Sequence, residues 1–268
     1  MELKDKKLFL LDMDGTIYLD DYLFEGVPEF LAKIKEKNGR YIFMTNNSSK
    51  SVSAYIEKLN KLGISSSEDD FMTSVDATIE FLKDKYGMEA YEKTIYIMGT
   101  KSFMEQMAKS GFKITTEATA DVNIILCGFD RELTYKKLED ICRMLSDKER
   151  NIDYFATNPD WVCPTDFGSV PDCGSMCQMI EIATGRKPYF IGKPQPDMAL
   201  LAMKKTGFSP DETLVIGDRV YTDVACGINA GIDACFVLSG EGTLEDLKKY
   251  DVKPTYILEN IKELFRRI

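Results

Sequence analysis

The chain has 268 residues, enough for one large domain or two moderate ones with a buried core. Asp and Glu (44) outnumber Lys and Arg (34), for a formal charge of −10, and that balance argues against a nucleic-acid partner, which needs a positive field. Histidine is absent, so His-based triads, Cys–His dyads, HExxH sites and His-ligated haem are excluded, and catalysis is left to carboxylates, Lys, Ser/Thr, Cys, Tyr or a metal held by oxygen.

Along the chain, a short apolar run followed by an amphipathic helical pattern recurs, as in β-α units of a parallel sheet. The run Leu8–Leu11 predicts a strand, followed by a helix over 27–37. A strand over 41–44 precedes helices over 51–62 and 76–85. The middle of the chain predicts strands at Thr94–Met98, 122–126 and 154–156, and helices at 102–110, Tyr135–Ser146 and 174–184. Strands at 189–191, 214–216 and 235–238 then alternate with helices at 197–205, 223–230 and 244–250. The strands are short and lack polar alternation, as expected where both faces are covered. No apolar run approaches the roughly 20 residues of a membrane helix. The seven cysteines follow no secretory pattern, because the run 8–11 is too short for a signal peptide's apolar region. They read as free thiols of a cytoplasmic protein. Cys173 and Cys177 can share a helix face, but no second pair completes a zinc site.

Four strand ends carry polar groups. They are Asp12-Met13-Asp14-Gly15-Thr16, Thr45-Asn46-Asn47, Gly192-Lys193-Pro194, and Gly217-Asp218-Arg219 followed by Thr222-Asp223. They lie only on the two sides of the middle stretch, so 1–82 and 186–268 read as one core domain and 83–185 as an inserted α/β domain. In an open parallel sheet, ligands bind beyond the carboxyl ends of the strands. Neighbouring strands would gather Asp12, Asp14, Thr45, Asn46, Lys193, Asp218 and Asp223 into one crevice. So many carboxylates need a cation, and oxygen-only ligation points to Mg²⁺. Lys193, Thr45 and Asn46 suit a phosphate, which takes a point charge with hydroxyl and amide donors. Metal with phosphate implies phosphoryl transfer. Asp12 can attack phosphorus, and Asp14 can protonate the leaving oxygen and later deprotonate water.

Taken singly, these motifs have plainer readings. An Asp-x-Asp-Gly run suggests a calcium loop, but its glycine stands fourth, where an EF-hand needs it sixth. Thr45-Asn46-Asn47 alone reads as a polar loop, and Gly192-Lys193-Pro194 alone as a turn with a solvated lysine.

Together and in this order, DxDGT, TNN, GKP and GDRxxTD resemble the haloacid dehalogenase superfamily of phosphatases. The long α/β insertion resembles the subfamily with a type-two cap. The resemblance implies a Rossmann-like parallel-sheet core with an inserted cap. It implies Mg²⁺ on the Asp12 and Asp218 carboxylates and the Asp14 backbone carbonyl, with Asp223 close behind. Thr45, Asn46 and Lys193 would hold phosphoryl oxygens. The segment 156–164, with Asn158, would face the substrate. Subfamily members acting on pyridoxal phosphate often carry a His where this chain has Cys163. The implied activity is Mg²⁺-dependent hydrolysis of small phosphorylated metabolites through an aspartyl-phosphate at Asp12. The cap would close over the site and choose the leaving group, and its sheet edge leaves room for a homo-oligomer. Three other activities compete: transfer to an acceptor other than water, dehalogenation, and binding of a phospholigand without turnover. Dehalogenation needs neither a leaving-group acid nor a metal, so Asp14 and Asp218 argue against it. A binding relic need not keep Asp12, Asp14, Lys193 and Asp218 together.

Overall fold

The strand Leu8–Leu11 is buried along its whole length. In the computed structural model, which describes residues 2–165 and 167–268, this strand lies inside a six-stranded sheet. The order is Tyr256–Leu258, Asp233–Val237, Thr213–Gly217, Leu8–Leu11, Arg40–Thr45, Phe71–Thr73. Every pairing is parallel. From Leu8–Leu11 the chain winds outward through Arg40–Thr45 to Phe71–Thr73. It later returns on the other side through Thr213–Gly217 and winds outward again. That reversal is a topological switch point, where ligands of open α/β sheets bind. The register sets Leu11 opposite both Phe43 and Ile216, so Asp12, Thr45 and Asp218 leave the sheet at one edge.

Helices cover the sheet through apolar stripes. Val27–Glu36 buries Val27, Phe30, Leu31 and Ile34, the spacing of one helical face. Phe30 meets Phe9 of the first strand edge to face, with ring centroids 5.3 Å apart. Full burial of such side chains contributes roughly 1.5–3 kcal/mol each. Helix Val52–Lys61 is anchored by Tyr55, stacked on Phe71 at 6.2 Å. No helix among the described residues is long and apolar enough to cross a membrane.

The chain divides into two compact units. One runs to Thr45 and also takes in Val52–Thr73 and everything from Lys193 onward; the other comprises Asn46–Ser51 and Ser74–Gly192. The boundary expected at 82/83 falls inside helix Ser74–Tyr86, which buries Val75, Ala77, Thr78 and Leu82 as one continuous face. The helix therefore stays whole within the second unit. That unit is built on a five-stranded parallel sheet in the order Tyr189–Phe190, Asp153–Ala156, Val122–Cys127, Thr94–Met98, Lys113–Thr115. An antiparallel strand pair, Val162–Thr165 with Gly168–Pro171, belongs to the same unit. No disulfide joins the seven cysteines among the described residues.

One strand departs from expectation. The run 189–191 leads into Lys193 and reads as part of the first sheet, but Tyr189–Phe190 pairs with Asp153–Ala156 in the second. Tyr189 stacks on Phe81 of helix Ser74–Tyr86 at 5.4 Å, and that aromatic contact holds the edge strand there.

Candidate active site

Asp12 follows Leu11 directly, and its N–H donates to the Ile216 carbonyl at 2.8 Å. The parallel ladder thus runs one residue past the strand and fixes the Asp12 backbone. Lys193 is 2% exposed. Its Nζ donates to Asp12 Oδ1 at 2.6 Å, to Asp223 Oδ1 at 2.6 Å and to the Met44 carbonyl at 3.3 Å. One carboxylate oxygen each from Asp12, Asp218 and Asp223 lies within 4.8 Å of the others.

The electrostatics follow from burial. Burial alone would lower the Lys193 ammonium, but Asp12 and Asp223 outweigh it and hold the group charged, above its ordinary value. Burial first, then the charges of Asp223 and Asp218, push the Asp12 carboxyl well above its ordinary value, against the pull of Lys193. Burial and Asp223 push Asp218 up to about 7, with Arg219 and the Glu241 amide opposing. The cluster is short of positive charge.

Asp218 is held from several sides. Its Oδ2 accepts the Glu241 N–H at 2.7 Å, and its carbonyl accepts the Gly242 N–H at 3.1 Å. Glu241 pairs with Arg219 at 2.9 Å, and Ser239 Oγ donates to the Gly15 carbonyl at 2.8 Å. Gly15 (φ +86) and Gly240 let backbone pass close by, since a Cβ on either would sit 2.5 or 2.0 Å from Asp218 Oδ2. The other oxygen, Oδ1, is buried and makes no hydrogen bond among the described residues. Asp223 is returned to the cluster by a wide turn, Val220–Val224, that precedes helix Ala225–Asn229 where one helix over 223–230 was expected. Its Oδ2 accepts the Arg219 N–H at 3.0 Å. An all-oxygen donor set with one buried oxygen unspent fits a divalent cation.

The structure brings three of the four expected carboxylates together. Asp14 stands outside that cluster; its side chain is 43% exposed and lies 3.9 Å from Lys58 Nζ. Thr45 is buried at the end of the adjacent strand. Asn46 belongs to the second unit, where its carbonyl accepts from Ser74 Oγ at 2.8 Å. Asn158, expected to face substrate, is fully buried in the second unit. Its amide donates to Asp160 and Asp172, both at 3.0 Å, and its oxygen accepts from Thr157 at 2.8 Å. Both amide hydrogens are committed to that network. The residues that sequence reasoning missed are Ser239, Gly240 and Glu241, together with Lys58. The glycine-rich Ser-Gly-Glu-Gly run after an apolar strand was the available signal for the first three. Lys58 carried none, being one of several lysines on an amphipathic helix.

Known proteins are similar to this chain over nearly its whole length. A haloacid dehalogenase-like hydrolase model matches residues 9–113, and a second, HAD-hydrolase-like model matches 190–264. An acid sugar phosphatase of Staphylococcus aureus (strain USA300) is 30% identical over 262 residues, spanning 97% of both chains. The crystal structure of a 4-nitrophenylphosphatase from Thermotoga maritima is 39% identical, covers 98% of each chain and superposes with a TM-score of 0.89. NagD from E. coli K-12 is 28% identical, covers 96% of this chain and 98% of its own, and gives 0.84.

Proposed function

The chain belongs to the haloacid dehalogenase-like hydrolases and is a phosphatase; we propose that it hydrolyses small phosphomonoesters with Mg²⁺ bound, through a covalent phosphate on Asp12. One observation carries this reading: Asp12 leaves the central strand already bonded to a buried ammonium, beside a carboxylate with an unspent oxygen.

In the first step an Asp12 carboxylate oxygen attacks phosphorus, and the bond from phosphorus to the leaving oxygen breaks. Asp14 gives its proton to that oxygen and becomes a carboxylate. In the second step Asp14 takes a proton from water, whose oxygen attacks phosphorus. The Asp12–phosphorus bond breaks, releasing inorganic phosphate and restoring Asp12. Lys193, locked between Asp12 and Asp223, meets the phosphoryl oxygens at a fixed place, and Thr45 is assigned to the same group. Asp12, Asp218 and the Asp14 backbone carbonyl would hold Mg²⁺, with Asp223 behind, and the ion would supply positive charge for the phosphoryl oxygens. Choice among esters is assigned to the inserted unit, and the named activity of the S. aureus relative puts sugar phosphates first in a substrate panel.

The test is release of inorganic phosphate from sugar phosphates and 4-nitrophenyl phosphate, with Mg²⁺ and with chelator. Asp12→Asn is expected to lose more than about 10⁴-fold in kcat at unchanged melting temperature, in line with removal of a covalent nucleophile. Full turnover by that variant would refute the assignment of Asp12.

A further inference from the structure

Lys58 lies outside the family's four motifs, yet it touches the loop that carries Asp14. It sits in the helix Val52–Lys61, one turn after Tyr55, whose ring is buried and stacked on Phe71. Leu59, the next residue, is buried too. The position of Lys58 is therefore set by packing. Its Nζ lies 3.7 Å from the centroid of the Tyr18 ring and 3.9 Å from Asp14 Oδ1. The side chain is only 22% exposed, so it is not a lysine on the solvated face.

Tyr18 is fully buried. Its carbonyl accepts the Gly15 N–H at 2.8 Å, and its backbone bridges Asp14. The turn from Met13 to Tyr18 is closed further by the N–H groups of Thr16 and Ile17 on the Met13 carbonyl, at 3.2 and 2.9 Å. The ammonium thus braces this turn twice, once on the aromatic face and once on the carboxylate. A lysine over an aromatic face is attracted by the ring quadrupole, and partial burial strengthens that attraction.

We propose that Lys58 is a positioning residue for Asp14, holding its carboxyl group in place to meet the leaving oxygen. The proposal rests on the assignment of Asp14 as proton donor above. A carboxyl group braced by a cation 3.9 Å away meets the leaving oxygen in a fixed geometry, and a small misplacement of a reacting group costs rate.

The consequence depends on the leaving group. Phenoxide leaves as phenol and needs the proton. 4-Nitrophenoxide is a weak base and leaves without it. The experiment compares kcat/KM of wild type, Lys58→Met, Lys58→Gln and Lys58→Arg on phenyl phosphate and 4-nitrophenyl phosphate, with circular dichroism confirming the fold. The parameter kcat/KM reports the first step only, so the later use of Asp14 as a base does not enter. Both neutral variants are expected to lose about tenfold on phenyl phosphate, a fraction of the usual worth of a general acid, and less than about twofold on 4-nitrophenyl phosphate. Arginine is expected to restore most of the loss. Equal losses on both esters, or no loss on either, would overturn the role of Lys58. Failure of the wild type to release phosphate from either ester would instead strike the hydrolytic reading itself.

Discussion

The phosphatase unit contains two buried lysines at opposite edges of one sheet, and their surroundings separate chemistry from architecture. Lys6 is 2% exposed. It donates to the Asp211 carbonyl at 2.6 Å and the Thr213 carbonyl at 3.0 Å, and pairs with Asp233 Oδ2 at 2.6 Å. Thr213 and Asp233 are the first residues of their strands, so Lys6 closes the amino-terminal edge. Lys193 occupies the carboxyl-terminal edge, also with three acceptors, but it faces a cluster of three carboxylates. Around Lys6 one cation meets one anion, and the account is closed. With all three carboxylates ionised, Lys193 leaves two negative charges uncompensated, which is the charge of one divalent cation. A buried ammonium by itself therefore signals nothing; the imbalance around it does.

The largest effects expected are those that exchange these roles. Lys193→Met should lower kcat by about 10²–10³-fold, the usual worth of a fixed group on developing charge. Lys6→Met should leave kcat per folded molecule unchanged and cost about 3 kcal/mol of stability. That cost reflects two backbone carbonyls left without their donor and a broken ion pair. The measurements are phosphate release and urea unfolding on both variants. A loss of kcat in Lys6→Met at full stability would end the comparison.

Most of the site is legible in the sequence because it sits at strand ends, where an apolar run stops at a charged residue. Asp12, Thr45 and Asp218 are found this way, since register alone carries them to one edge. Lys193 is found for a partly mistaken reason: the strand before it belongs to the other sheet, yet its ammonium still reaches Asp12 and Asp223. For Asn158 the residue type suggests a donor, while its bonds to Asp160 and Asp172 are visible only in three dimensions. The three-residue strands Phe71–Thr73, Lys113–Thr115 and Tyr256–Leu258 are too short to show a period. The loop Ser239–Gly242 escapes notice because it acts through backbone N–H groups, which carry no residue signature.

That loop marks a second contrast between the two edges: among the described residues, glycine backbone crowds Asp218 but not Asp233. A Cβ at residue 240 would fall 2.0 Å from Asp218 Oδ2 and 2.7 Å from its Cβ, so something must move. Gly240→Ala is expected to displace Asp218 and to weaken Mg²⁺ binding about tenfold, or about 1.4 kcal/mol. Calorimetric titration of the ion, without substrate, measures this directly. Unchanged affinity would mean that the Glu241 amide does not set the Asp218 carboxylate.

The smallest effect lies at the Lys6 edge and is read through pH. Burial raises the Asp233 carboxyl, but the bonds from Lys6 and Thr255 outweigh it and leave the group below its ordinary value of 3.8. A carboxyl depressed by folding releases its proton more readily in the native state. Its contribution to stability is therefore complete above the ordinary value and is lost as pH falls through the lower, native one. Asp233 is 27% exposed at its side chain, so solvent screens the pair and the contribution is about 1 kcal/mol. Asp233→Asn should cost that amount at pH 7 and at pH 5. The gap to wild type should shrink steadily below pH 4, because both proteins then carry a neutral group at this position. In a Lys6→Met background the same substitution should cost almost nothing at any pH, since the charge it answers is gone. A gap that stays constant down to pH 3 would show that Asp233 acts through its bond with Thr255 rather than through its charge on Lys6.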